Sequence, residues 1–395
     1  MGVNISKDVP DLKYVWTYRA KNFYKDTVPV VSGDGKTVAL YSRGEKLIHV
    51  LDGDGSHLCS IKMKQKMLLA NVSAIPSLSY DGSRIVTRDS NSVICYTRTG
   101  ELMWEYERSD KVVRSGMQSW IAQISANGKI VVVRMFHDLI WINADNGEVI
   151  SIATHEHEYA RTIPRISDDG STVIVADGFN LLCYVNATCV WTKPAEKVKG
   201  KLHLYGWGDP GLSADGRVCS STFDHVVHIF DTKTGNPVGT ITDVRSVAHE
   251  NSSQASFSAD GKIIAVVLQK NGIGVFTGPG YQNPLLLYTM EGVHRPVAPL
   301  LTRDGKRLLS KAADTILQFD IGSGDEPVAV GRVKDTSHIP GGPTVHSRNY
   351  HHDRDTHHIR TYTLSDDGSF GVTVAKSKEL WAFKLGSAQG GMIGK

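Results

Sequence analysis

Histidine is the residue type whose spacing first suggests chemistry in this chain. His155-Glu156-His157 sets two imidazoles at i and i+2, on one face if the stretch is a strand. A second group, His338, His346, His351, His352, His357 and His358, is crowded into a late stretch of the chain. Zinc or manganese needs three or four convergent ligands. His155, His157, His351 and His352 are therefore a metal set only if separate loops bring them together, and a solvated His-rich loop is the plainer reading. A different chemistry is carried by Trp120, Arg161, Trp207, His249, Glu250, His294, Arg295, His358 and Arg360, which recur at corresponding points of a repeat. Arginine forks match carboxylates and phosphates, and aromatic rings offer flat apolar faces. Brought together, these residues suit an anionic or sugar-like ligand, or an acidic segment of a protein partner.

Other reaction signatures are missing. The chain holds no G-x-S-x-G, no phosphate loop, no H-E-x-x-H and no calcium loop, so no cofactor is expected. Forty-four basic and 41 acidic residues give a net charge of +3, without the basic excess of a generic nucleic-acid binder. Five scattered cysteines without C-x-x-C read as reduced core thiols. No run is long enough for a membrane helix and the first residues lack an apolar signal core, so a cytoplasmic location and a monomeric disc are expected. Met1-Gly2-Val3-Asn4-Ile5-Ser6 fits the M-G-x-x-x-S myristoylation pattern, which in a eukaryotic host implies weak membrane contact.

The elements that must position these residues are set by one stretch used eight times. It runs Ser32-Gly33-Asp34-Gly35, Ser79-Tyr80-Asp81-Gly82, Ser125-Ala126-Asn127-Gly128 and Ser167-Asp168-Asp169-Gly170. It continues as Ser213-Ala214-Asp215-Gly216, Ser258-Ala259-Asp260-Gly261, Thr302-Arg303-Asp304-Gly305 and Ser365-Asp366-Asp367-Gly368. Each copy sits between β-branched runs, a strong hairpin signal. Successive glycines are 47, 46, 42, 46, 45, 44 and 63 residues apart, and the first six gaps have the length of a four-stranded propeller blade. Four apolar runs per period make an antiparallel meander that must stack on its neighbours to bury both faces.

The eighth period lacks a fourth run, and the first residues hold a spare one, Tyr14-Val15-Trp16-Thr17-Tyr18-Arg19, which resembles Met103-Trp104-Glu105-Tyr106-Glu107. The expected architecture is thus all-β: one eight-bladed β-propeller over residues 1–395, closed by an N-terminal strand within 12–20 that completes the last blade. The long seventh gap places a His-rich insertion at 332–358, and 386–395 reads as a flexible tail.

The S-x-D-G turns, the third runs ending Phe230-Asp231 and Phe319-Asp320, and the Gly100-to-Trp104 spacing resemble the WD-repeat and quinoprotein-type β-propeller superfamily over Tyr14 to Leu385. No Gly-His pair enters the blades and no Trp-Asp pair closes the third strands. The adjacent cysteines of quinone-dependent dehydrogenases are also absent. The resemblance implies that the loops between an outer strand and the next inner strand line one mouth of the channel, the upper funnel. It is specific for fold and nearly silent on activity; with no catalytic motif in the chain, the expected function is a non-enzymatic scaffold that presents this funnel to a protein partner or an anionic ligand. The alternative is a metal-assisted lyase or hydrolase with a His-lined site at the channel mouth. On the scaffold reading, changing Trp120, Arg161 and Trp207 together should abolish partner capture and leave stability unchanged.

Overall fold

The repeated turns are the joints of the fold. In each, the Ser or Thr hydroxyl donates to the Asp or Asn side chain two residues on, at 2.6–2.8 Å. The same oxygen accepts the backbone N–H five residues on, at 2.9–3.1 Å. The glycine that follows sits at φ between +65° and +79° in all eight copies, a conformation that costs glycine no steric strain. The chain then leaves in the opposite direction as a buried strand.

The computed structural model describes residues 2–3, 12–20, 29–42, 44–63, 75–89, 92–108, 122–135, 137–155, 163–177, 180–195, 207–244, 255–269, 272–290, 299–312, 315–322, 328–332, 362–375 and 379–385. Eight sheets follow from the turns, each with four antiparallel strands ordered from the inner to the outer edge. Blades 1 to 7 begin at the inner strands Pro29–Val31, Ser77–Leu78, Gln123–Ile124, Arg165–Ile166, Gly211–Leu212, Ser256–Phe257 and Leu300–Leu301. Blade 8 contains Tyr362–Leu364, Phe370–Ala375 and Glu379–Lys384, and the N-terminal strand Trp16–Tyr18 is its outer member. There Trp16 lies opposite Ala382, Thr17 opposite Trp381 and Tyr18 opposite Leu380. The ring is closed as the spare N-terminal run requires. Among the described residues, blade 6 alone carries a fifth strand, Gly2–Val3, parallel to Thr289–Met290. Among the described residues no helix is long and apolar enough to cross a membrane.

The core is a ring of eight apolar clusters, one at each blade junction. Between blades 2 and 3, for example, Val86, Val93 and Cys95 face Ile124, Val131 and Val133. Each fully buried Val, Leu or Ile stabilises the fold by roughly 1.5–3 kcal/mol. Burial lifts the Cys95 and Cys183 thiols to about 12, which keeps them protonated and unreactive.

Three junctions are stitched at the rim by tryptophan. The indole N–H of Trp16 donates to Gly53 O at 2.9 Å, that of Trp104 to Ala144 O at 2.8 Å, and that of Trp191 to Thr232 O at 2.7 Å. Each ring covers a glycine of the next blade. A Cβ on Gly55, Gly147 or Gly235 would lie 2.7–2.9 Å from the ring.

Candidate functional site

The channel has two ends, and the turns govern one of them. Backbone N–H groups at the second or third turn position donate to the neighbouring turn at 2.8–3.0 Å, from Asp34 to Tyr80 and from Tyr80 to Ala126. The series runs on through Asn127 to Asp168, Asp168 to Ala214, Asp215 to Ala259, Ala259 to Arg303, Arg303 to Asp366 and Asp366 back to Gly33. Eight turns thus form one closed ring of hydrogen bonds.

Side chains from this ring bridge the mouth. The Arg303 guanidinium of blade 7 bonds Asp168 of blade 4 and, at 3.1 Å, Asp366 of blade 8. It also sits 5.9 Å from the centre of the Tyr80 ring of blade 2. Residues of four blades, including blades 4 and 7, can meet only across the axis. The opposite turn leaves them room, because a Cβ at Gly33 would come within 2.3 Å of Tyr80 and 2.9 Å of Asp366. The Asp168 hydrogen bond holds Arg303 firmly protonated. Burial pushes the Asp366 carboxyl upward, and the nearby Asp168 and Asp367 charges add to this, while Arg303 opposes it. At about one-third exposure such pairs contribute modestly, on the order of 1 kcal/mol.

Sequence spacing marked the turns but missed this group. The signal was present at their second position, which reads Gly33, Tyr80, Ala126, Asp168, Ala214, Ala259, Arg303 and Asp366. One cation, two anions and one aromatic ring among small residues are legible as a bridge only after the ring places blades 2, 4, 7 and 8 around a common axis.

Toward the other end, the described residues place two of the sequence candidates. His155 directly follows the outer strand Val149–Thr154 and is buried. Its Nε2 meets the Tyr184 hydroxyl at 2.8 Å and its Nδ1 faces Asp177 Oδ2 at 3.3 Å. Arg134 completes the set, donating to Ala176 O at 3.1 Å with its other arm 4.0 Å from Asp177. Burial first, then nearby Cys189 and Asp177, pushes the Tyr184 hydroxyl upward, so it stays a proton donor. Both imidazole nitrogens are turned to protein groups, and the network anchors the end of the Val149–Thr154 strand. Among the described residues, no three His, Cys, Asp or Glu side chains are grouped to hold a metal.

Trp207 is also buried, between blades 4 and 5 against Phe223 and Phe230, with its indole N–H donating to Lys193 O at 2.9 Å. Its ring lies in the junction between the two blades. Trp120, Arg161, His249, Glu250, His294, Arg295, His358 and Arg360 lie outside the described residues, as do His157, His351 and His352. So does nearly all of the 332–358 insertion and all of the 386–395 tail.

Residues 13–277 match the family model described as outer membrane protein assembly factor BamB. No curated protein matches the chain in sequence. Among solved structures, BamB from Moraxella catarrhalis aligns at a TM-score of 0.63 and 12% identity, covering 95% of this chain and 100% of that one. The C-terminal WD40 domain of Sif2 aligns at a TM-score of 0.68 and 13% identity, covering 96% and 99%. At these identities the likeness is one of fold.

Proposed function

We propose, from the premise that the chain belongs to the propeller family of the outer membrane protein assembly factor BamB, that it is a non-enzymatic scaffold holding a protein partner on its loop face. The observation that carries this reading is the bridged turn end, where Arg303, Asp168, Asp366 and Tyr80 span the axis. A ligand approaching the channel meets that plug on one side, which leaves the segments that connect one blade to the next at the other end for recognition. Loops on a rigid frame are where recognition concentrates. These loops carry Trp120, Arg161, Arg295 and Arg360, which match an acidic protein segment or another anionic group.

The test compares wild type with a Trp120→Ala, Arg161→Ala, Arg360→Ala variant by affinity capture from native lysate, with Tm measured alongside. Trp207 is left intact, because emptying its buried position would cost about 3–5 kcal/mol and confound the result. Loss of wild-type partners at unchanged Tm is expected. An identical partner set would remove the loop face from the reading, and stoichiometric metal in tag-free protein would favour the metal-assisted lyase or hydrolase.

A further inference from the structure

The rim of the disc offers a second surface, independent of the loop face. An outer strand has one paired edge and one free edge, and free edges are usually protected by charge, proline or a covering segment. Among the described residues seven outer strands are five or more residues long, six of them show one of these devices, and the exception is informative. Blade 1 ends in Lys62, blade 2 carries Glu105 and Glu107, blade 4 ends in Lys193-Pro194, and blade 5 begins at Pro237. Blade 6 has Pro284 and the added strand Gly2–Val3, and blade 7 ends in Arg332. Blade 3 has Val149–Thr154, which reads Val-Ile-Ser-Ile-Ala-Thr with neither charge nor proline.

That strand is also apolar on its open face. Ile150 is 52% exposed, Ile152 51% and Val149 39%. The Trp104 bond to Ala144 holds the start of the blade 2 outer strand alongside, where Leu102 is 57% exposed. No described residue pairs with the free edge. Exposed Glu148 immediately precedes Val149, and exposed Glu101 and Glu107 stand at the two ends of the blade 2 outer strand.

We propose that the outer edge of blade 3 is a strand-addition site for an extended segment of a partner protein, with β-branched residues at alternate positions and basic flanks. Backbone hydrogen bonds to residues 149–154 supply affinity, and the Ile150–Ile152 face supplies selectivity. Blade 6 supplies the precedent within this molecule, since its outer strand accepts Gly2–Val3 as a fifth strand. The acidic flanks complement basic residues at the ends of the incoming segment.

The probe is a labelled peptide, Lys-Ile-Thr-Val-Thr-Ile-Lys, added to the full-length protein, with Lys-Ile-Pro-Val-Pro-Ile-Lys as the strand-breaking control. The expected result is binding of the first peptide alone, with slowed amide hydrogen exchange confined to residues 149–154. Ile150→Lys with Ile152→Lys should abolish binding at unchanged Tm, whereas Leu285→Lys with Leu287→Lys on blade 6 should not. Absence of binding, or protection elsewhere on the ring, overturns the proposal. So does a wild-type dimer in sedimentation that the Ile150→Lys, Ile152→Lys variant dissolves, because the edge would then belong to a second copy.

Discussion

At the scale of the residue, Asn127 shows which part of the turn side chain matters. Its Oδ1 accepts from Ser125 Oγ at 2.7 Å and from Lys129 N at 3.0 Å, the same bonds that the seven aspartates make in the other turns. The geometry therefore needs an acceptor oxygen and not a charge. Ionisation still matters for stability. At Asp81, Asp169, Asp260, Asp304 and Asp367 burial raises the carboxyl, and hydrogen bonds together outweigh it and leave each below the ordinary carboxylate range. A depressed folded value contributes stability above the unfolded pKa of about 4, and loses it as pH falls through the folded value. Thermal melting from pH 7 to 2.5 should therefore show Tm declining below about pH 4. Asp169→Asn should flatten part of that decline and, with Asn127 as precedent, cost under about 1 kcal/mol at pH 7.

At the scale of the element, closure depends on a three-residue strand. Trp16–Tyr18 offers few backbone bonds, so the strand is held as much by side chains as by its ladder. Trp16 reaches Gly53 and covers Gly55, Tyr18 OH meets His49 Nδ1 at 3.1 Å, and Tyr14 packs its ring 5.1 Å from Trp381. Gly55 sits at φ +91°, with Trp16 atoms 2.7 Å from where a Cβ would be. Gly55→Ala should thus cost about 2–4 kcal/mol, by strain at its own backbone and by displacing the tryptophan. Equilibrium denaturation would read this, and a loss below about 1 kcal/mol would mean that the indole does not secure the ring closure. The tryptophan-bearing outer runs were legible in the sequence. Their glycine partners were not, because Trp16 and Gly55 belong to different blades.

At the scale of the whole molecule, the Arg303 bridge ties blades that are distant in sequence. Asp168 and Asp366 share this guanidinium, and Asp366 is the carboxyl whose value is pushed up. A raised folded value acts in the opposite sense to the turn aspartates. Its contribution is complete below the unfolded pKa and is lost as pH rises through the folded value. Asp366→Asn, which stays neutral, should therefore gain in Tm relative to wild type as pH rises from 4 to 7. A difference that is flat with pH would mean that burial of Asp366 does not oppose its ionisation in the folded ring.

The sequence by itself determined the number of blades, the strand order within each and the origin of the closing strand. Those features depend on local turn chemistry and on alternation with a fixed period, and both are written in neighbouring residues. The same period predicts loop positions for Trp120, Arg161 and the other candidates outside the described residues, and it does not set the direction of a side chain. Trp207 and His155 have residue types suited to binding, and the tertiary structure buries both, with the Trp207 indole N–H bonded to Lys193 O and His155 Nε2 bonded to the Tyr184 hydroxyl. Only the closed ring decided that Arg303, Asp168, Asp366 and Tyr80 would meet across one mouth. It also left the Val149–Thr154 edge without a strand partner among the described residues, while Gly2–Val3 lies on blade 6. These outcomes depend on which blades face each other, a relation that no stretch of neighbouring residues contains.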